Sequence, residues 1–75
     1  MISPLSFSVL VDIARNPRTT WQAVWQRNKE TSPQLVRRAI EELAHRRMVT
    51  VYVSGLIIAT EAGRAVITER VQATA

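Results

Sequence analysis

The chain has 75 residues, of which ten are basic and six acidic, so its formal net charge at pH 7 is +4. A chain this short makes one domain, residues 1–75, and has no room for a separate catalytic domain. The absence of cysteine excludes disulfides and cysteine-containing zinc sites, and no apolar run approaches the roughly 20 residues of a membrane span. We therefore expect a soluble, cytoplasmic protein without a cofactor or a membrane partner.

Two helices are predicted in the first third of the chain. The first runs from Ser3 or Pro4 to about residue 16, because serine supplies a capping hydroxyl and proline suits the first helical position. The second is short, follows a capping threonine at residue 19 or 20, and presents one apolar face. Asn28 ends it, since asparagine tolerates the left-handed backbone of a tight turn.

A third helix begins at Ser32 and Pro33, and its pattern is unbroken until Arg47. Four apolar residues at helical spacing form its inward stripe, namely Val36, Ala39, Ile40 and Leu43. Six polar residues lie on or beside the opposite side, namely Gln34, Arg37, Arg38, Glu41, Glu42 and His45. The sequence therefore predicts an amphipathic helix with a basic outer side.

From Val49 onward the apolar residues alternate, which predicts a β-strand. Ser54-Gly55 is interpreted as a two-residue hairpin turn, after which a second strand returns over residues 56–59. This turn sets the register of two apolar pairs, Val51 with Ile58 and Tyr52 with Ile57. Both faces of the ribbon then carry large apolar groups, and the face away from the helices needs a cover, either the last helix or a second subunit.

A closing helix is predicted over residues 60–72. Thr60 is its cap, Ala62 and Val66 point inward, and Gly63 weakens it, because glycine is a poor helix former. In chain order the sequence thus predicts three helices, a two-stranded hairpin and a C-terminal helix. This is an α+β fold that is mostly α.

The order of these elements, with a short polar connector before the third helix, resembles a winged helix-turn-helix domain. Residues 32–43, SPQLVRRAIEEL, with Met48-Val49 after them, resemble the recognition helix of MarR-type and PadR-type bacterial regulators. Residues 60–64, TEAGR, are similar to the segment that follows the wing in those families. The resemblance covers most of the chain and implies a DNA-binding domain whose third helix enters the major groove.

The sequence departs from these families in three places. Residues 29–31 are Lys-Glu-Thr, where a leucine, a glycine and a further apolar residue are common, and Arg47 stands where a glycine usually ends the third helix. No basic residue lies between residues 49 and 60. The hairpin therefore lacks the positive charge by which many wings hold DNA.

The resemblance and the side-chain chemistry together predict which residues touch DNA. Glutamine can pair with adenine and arginine with guanine, and the candidates for base contacts are Gln34, Arg37, Arg38 and Glu41. The candidates for phosphate contacts are Arg18, Thr19, Thr20, Arg27, Lys29, Thr31 and Ser32. Nine of the ten basic residues are arginine, a bias that suits phosphates and guanine edges but that genome composition or solubility also explains.

Several other residues have ordinary structural explanations. Trp21 and Trp25 are four residues apart, which fits helix packing better than base stacking. The lone histidine, His45, has no partner set for a metal site or a catalytic dyad. Glu41 follows Arg37 by one helical turn, so these two can also form a surface ion pair. With no nucleophile beside a base and no phosphate loop, an enzyme is not expected.

The predicted function is that of a small transcriptional regulator, encoded by a phage or a mobile element, that binds double-stranded DNA as a homodimer. The candidate dimer or partner surface consists of Tyr52, Val53, Leu56 and Ile57. Two alternatives remain open. One is a winged-helix module that binds another protein, which the uncharged hairpin favours. The other is a replication or partition accessory factor, which shares the DNA contact.

Overall fold

The computed structural model describes residues 2–74, with the side chains of residues 2–72. Within this range the elements are α1 (Pro4–Arg15), α2 (Trp21–Arg27), α3 (Pro33–His45), β1 (Val49–Val51), β2 (Ile57–Ala59) and α4 (Glu61–Thr74). The two strands pair antiparallel. The chain is thus a small α+β domain that is mostly helical, as predicted. None of the described helices is both long and apolar enough to cross a membrane.

Each of these helices begins at a hydroxyl cap, as the sequence predicts. The capping oxygens accept a hydrogen bond from the amide three residues on, and they belong to Ser3, Thr20, Ser32 and Thr60. Such a cap stabilises a helix by about 1 kcal/mol, because it satisfies an amide that has no partner inside the helix. Thr60 also donates to the carbonyl oxygen of Arg47 at 2.7 Å, which ties the start of α4 to the end of α3.

Two arginines, and not Asn28, adopt the left-handed backbone in the described chain. Asn28 caps the end of α2, as predicted, but its φ of −128° is not left-handed. Arg18 and Arg47 have φ values of +66° and +61°. Arg47 occupies the position where the families that the sequence resembles usually have glycine. The residue after the third helix therefore has a left-handed backbone, although it is arginine and not glycine.

The core lies between α1, α2, α3 and the inner face of the hairpin. The largest fully buried apolar side chains are Val9, Leu10, Ile13, Val24, Val36, Leu43 and Ile57. All four residues of the predicted inward stripe of α3 are buried. Trp21 and Trp25 pack against this core, as predicted, although the indole nitrogen of Trp25 is buried without a hydrogen-bond partner. Because full burial of one such side chain contributes about 1.5 to 3 kcal/mol, the core holds α3 firmly in place.

The hairpin turns over three residues instead of two. Tyr52 N–H donates to the Leu56 carbonyl at 2.8 Å, and Gly55, at φ +93°, completes a loop of residues 53–55. The strand pairs are Val49 with Ala59, Thr50 with Ile58 and Val51 with Ile57. The predicted register is therefore wrong by one residue. Since a shift of one residue exchanges the two faces of a strand, Ile57 turns into the core instead of facing Tyr52.

Gly63 serves the packing of α4, a role that the sequence did not indicate. A Cβ atom at this position would clash with the carbonyl oxygen of Met48, so α4 can approach β1 this closely only with glycine there. Gly63 is buried and Ala62 is exposed, which shows that the predicted inward position of Ala62 is wrong. Val66 packs against the core, as predicted.

Candidate nucleic-acid interface

The outer side of α3 carries the four residues predicted to contact bases. Gln34, Arg37, Arg38 and Glu41 are all exposed. Successive helical residues are rotated by about 100°, so Gln34, Arg38 and Glu41 lie opposite the buried stripe, whereas Arg37 lies on its flank. The core fixes the rotation of the helix about its axis. Three of the four predicted base-contact residues therefore share one outward surface, which we call the outer α3 stripe.

Arg37 is held away from the outer α3 stripe by an aromatic ring. Its guanidinium lies over the ring of Trp21, 5.1 Å from the ring centre. A cation–π contact of this kind contributes about 0.5 to 1 kcal/mol at an exposed site. The alternative ion pair with Glu41 is not formed, since Arg37 has no acidic partner in the described chain. Arg37 therefore lies next to the start of α2, on the side of α3 that faces the hairpin.

The turn between α2 and α3 holds three of the predicted phosphate contacts. Lys29 and Ser32 are exposed, and Thr31 is half-buried. The hydroxyl oxygen of Ser32 accepts a hydrogen bond from the amide of Leu35 at 3.3 Å, while its proton can still be donated to another acceptor. These residues flank the N-terminal end of the outer α3 stripe.

The turn between α1 and α2 gathers the other predicted phosphate contacts around one shallow groove. Its lining includes Arg18, Thr19, Thr20, Arg27 and also Arg15, which the sequence analysis did not single out. Arg18 is exposed. The side chain of Thr20 caps α2, accepting from the amide of Ala23 at 3.3 Å. Arg15 becomes a candidate only because the fold returns α2 beside the end of α1.

Two of these groove residues have structural roles. Arg27 donates from Nε and Nη2 to the two carboxylate oxygens of Asp12, at 2.8 and 3.0 Å, and also from Nη2 to the hydroxyl of Thr19 at 2.8 Å. Thr19 is only 5% exposed, and its carbonyl accepts from Ile57 N–H. The paired bonds of Arg27 join α2 to α1. Thr19 is therefore removed from the predicted phosphate surface, whereas Arg27 is exposed and its phosphate contact stays a prediction.

The predicted partner surface is only partly exposed. Tyr52 is 49% exposed and Val53 is 110% exposed, whereas Leu56 is half-buried. Ile57 is 1% exposed, so its prediction as a surface residue is wrong, for the same reason as the predicted register. Val51, which the predicted surface did not include, is 48% exposed.

A groove of about 550 Å³ separates α3 from the hairpin. Its lining consists of Trp21, Arg37, Ile40, Glu41, Ala44, His45, Val51, Gly55 and Ile57. Most of the lining is apolar, and its two charged residues, Arg37 and Glu41, both belong to α3. A phosphate backbone requires hydrogen-bond donors and positive charge, which the hairpin side of the groove does not offer. The hairpin side of this groove is therefore unsuited to a phosphate backbone.

Glu42 was predicted on the solvent side of α3, and the structure shows a link to α1. Its Oε2 accepts from the buried hydroxyl of Ser6 at 3.1 Å, and its Oε1 pairs with Arg46 at 3.5 Å. Ser6 is a polar residue on the inward face of the apolar helix α1, which was the sequence signal that it has a buried partner. Its partner could not be identified before the two helices were packed together.

Within the described residues, no three histidine or acidic side chains come close enough together to hold a metal ion. Comparison of the chain with protein-family models, with curated proteins and with solved structures found no match.

Proposed function

We propose that this chain is a winged helix-turn-helix domain that binds double-stranded DNA with α3 in the major groove. The outer α3 stripe is the observation that carries the proposal. Gln34 and Arg38 lie there on a helix whose opposite stripe is buried, and Arg38 forms no ion pair with any described residue. A major groove about 12 Å wide admits such a helix, and one bidentate base contact gives about 1 to 3 kcal/mol of discrimination.

Arg37 has a different role in this proposal. A guanidinium stacked on an aromatic ring keeps the N–H groups at its edge available, and the stack reduces the cost of ordering the side chain. Because Arg37 lies beside the start of α2 and off the outer α3 stripe, we assign it to a phosphate. Lys29 and Arg18, both exposed, are the further phosphate contacts. Such contacts set the position of a protein on DNA without reading its sequence.

Binding to a labelled duplex, measured by fluorescence anisotropy at two salt concentrations, tests this function. If Arg18, Lys29 and Arg37 each neutralise one phosphate, affinity falls by about 40-fold between about 50 and about 200 mM salt. Arg64→Ala is the matched control for substitutions of these three residues, because it removes one exposed positive charge from α4 instead. Undetectable binding at the lower concentration, or binding that salt does not change, would contradict the proposal.

A protein-binding module is the second candidate function, and the groove between α3 and the hairpin favours it. An apolar lining with charges at one side is typical of a surface that receives an apolar partner segment. Two substitutions separate the candidates. Arg38→Ala weakens DNA binding and leaves a partner in the groove unaffected, whereas Ala44→Glu blocks the groove and leaves the DNA contacts of Gln34 and Arg38 in place.

The DNA contact itself serves a transcriptional regulator or a replication accessory factor equally well. Both need the same helix in the same groove. The difference between them lies in which DNA sites are bound, which a genome-wide binding experiment measures directly.

A further inference from the structure

The hairpin has one edge that no other part of the described chain covers with hydrogen bonds. Tyr52 N–H donates to the Leu56 carbonyl, and Thr60 N–H donates to the Met48 carbonyl. These two bonds identify the residues whose backbone groups point towards the other strand of the hairpin. Paired and unpaired positions alternate in an antiparallel ladder, so the N–H and C=O of Val51 point away from β2. The open edge of β1 thus offers the unused N–H and C=O of Val51, since Val49, the other residue of this orientation in β1, is buried.

The opposite edge of the hairpin is occupied. Ile57 N–H donates to the Thr19 carbonyl at 2.8 Å, and these two residues form an antiparallel bridge. Among the described residues, β1 therefore provides the hairpin's free pairing edge. Two such edges that pair with each other leave none open, so the product is a closed dimer and not a fibre.

The open edge carries exposed apolar side chains, and the short length of β1, three residues, is its one protection against pairing. Val51, Tyr52 and Val53 are consecutive, and their exposed fractions are 48%, 49% and 110%. Exposed edge strands of natural proteins usually carry a lysine, another inward charge, a proline or a bulge that prevents pairing. No charged residue and no proline lies between residues 49 and 60.

We propose that the β1 edge pairs with the same edge of a second copy of this chain, forming a four-stranded antiparallel sheet in the order β2, β1, β1, β2. The charge distribution favours a second copy here. Each chain carries a net charge of +4, yet residues 49–60 carry none. Two copies that meet at their hairpins therefore place no like charges opposite each other.

The contact between the two copies is small, so their association is weak. Stable protein interfaces bury about 1,200 to 2,000 Å² in total, and three exposed residues from each copy supply only part of such an area. We therefore expect a weak dimer that is half-formed at a concentration on the order of 0.1 to 1 mM. Added salt screens the repulsion between the two positive chains, so it strengthens this association, whereas it weakens binding to DNA.

Sedimentation equilibrium without DNA, from about 10 µM to about 1 mM protein and at about 50 and about 500 mM salt, tests the proposal. Val51→Pro removes an N–H that points to the open edge and leaves the bonds to β2 in place. Val53→Lys adds a charge at the exposed tip. Leu35→Lys is the matched control, because it introduces the same charge at an apolar residue of α3 that is 46% exposed.

The proposal requires the average mass of the wild type and of Leu35→Lys to rise with concentration, and to rise further at the higher salt. Val51→Pro and Val53→Lys should associate at least about tenfold more weakly. A wild type that is monomeric throughout, edge variants that associate like the wild type, or a control that loses association equally would each overturn it. Circular dichroism checks folding, and Val53→Lys carries the test if Val51→Pro unfolds. Since no DNA is present, the result is independent of the proposed DNA binding.

Discussion

At the junction of α3, β1 and α4, single residues determine how closely the backbone segments approach. Gly63 allows α4 to contact the Met48 carbonyl, and Thr60 bonds to the carbonyl of Arg47, which has a left-handed backbone. The sequence identified Thr60 as a cap from local chemistry. It did not reveal the role of Gly63, because the close approach is made by a residue that is distant along the chain.

Substitution of Gly63 by alanine changes the free energy of unfolding in opposite directions, depending on whether packing or helix propensity dominates at this position. Propensity alone predicts a stabilisation of about 1 kcal/mol, because alanine is the better helix former. The clash of the added Cβ with the Met48 carbonyl predicts a destabilisation of about 1 to 3 kcal/mol instead. Urea denaturation of Gly63→Ala measures the difference, and a more stable variant would show that α4 can shift without cost.

Arg47→Gly is expected to stabilise the domain by about 0.5 to 1 kcal/mol. At φ +61° the Cβ of arginine is strained, and glycine has no such strain. Arg46→Gly is the control, because Arg46 has a φ of −85° and gains nothing from glycine. Thermal denaturation should therefore show opposite changes for the two neighbours, and equal losses of stability would rule out strain at Arg47.

At the scale of elements, the helices were predictable and their mutual contacts were not. Each cap and the inward stripe of α3 depend on residues three or four positions apart, so local spacing was sufficient there, although it misplaced Ala62 on α4. The hairpin register depends on the position of one turn glycine, and an extra loop residue reversed the face of Ile57. The stacking of Arg37 on Trp21 depends on how α2 crosses α3, which no local pattern contains.

The two neighbouring arginines of α3 are expected to differ in their effects on DNA binding. Arg38→Ala should reduce discrimination among base-pair variants of a preferred site by about 1 to 3 kcal/mol, because it removes a base contact. Arg37→Ala should weaken binding to all sequences and reduce the salt slope by about 1, because it removes a phosphate contact. Competition titrations with duplexes that differ at single base pairs measure both quantities.

Trp21→Leu provides a further check on this assignment. It keeps an apolar side chain at the start of α2 and removes the stacking surface for Arg37. We expect it to weaken binding in the same sequence-independent way as Arg37→Ala, but by less. If Arg37→Ala altered the preferred sequence while Arg38→Ala did not, the two roles would have to be exchanged.

At the scale of the whole molecule, the charged residues proposed to bind DNA are separate from the exposed apolar side chains of the hairpin. The arginines and the lysine proposed to bind DNA belong to α3 and to the turns before it, while residues 49–60 are uncharged. The domain measures 33 × 25 × 20 Å, so its longest dimension matches about one helical turn of DNA, roughly 34 Å. One copy is therefore of a suitable size to cover one half-site.

The central claim is that α3 is the DNA-binding element, and a nuclear magnetic resonance titration of isotope-labelled protein with a duplex at low salt tests it most directly. The account predicts that amide signals of residues 34–41 and the side-chain signal of Trp21 shift together, while the amide signals of residues 51–56 stay nearly unchanged. Shifts concentrated on the hairpin or on α4, with α3 unchanged, would contradict it.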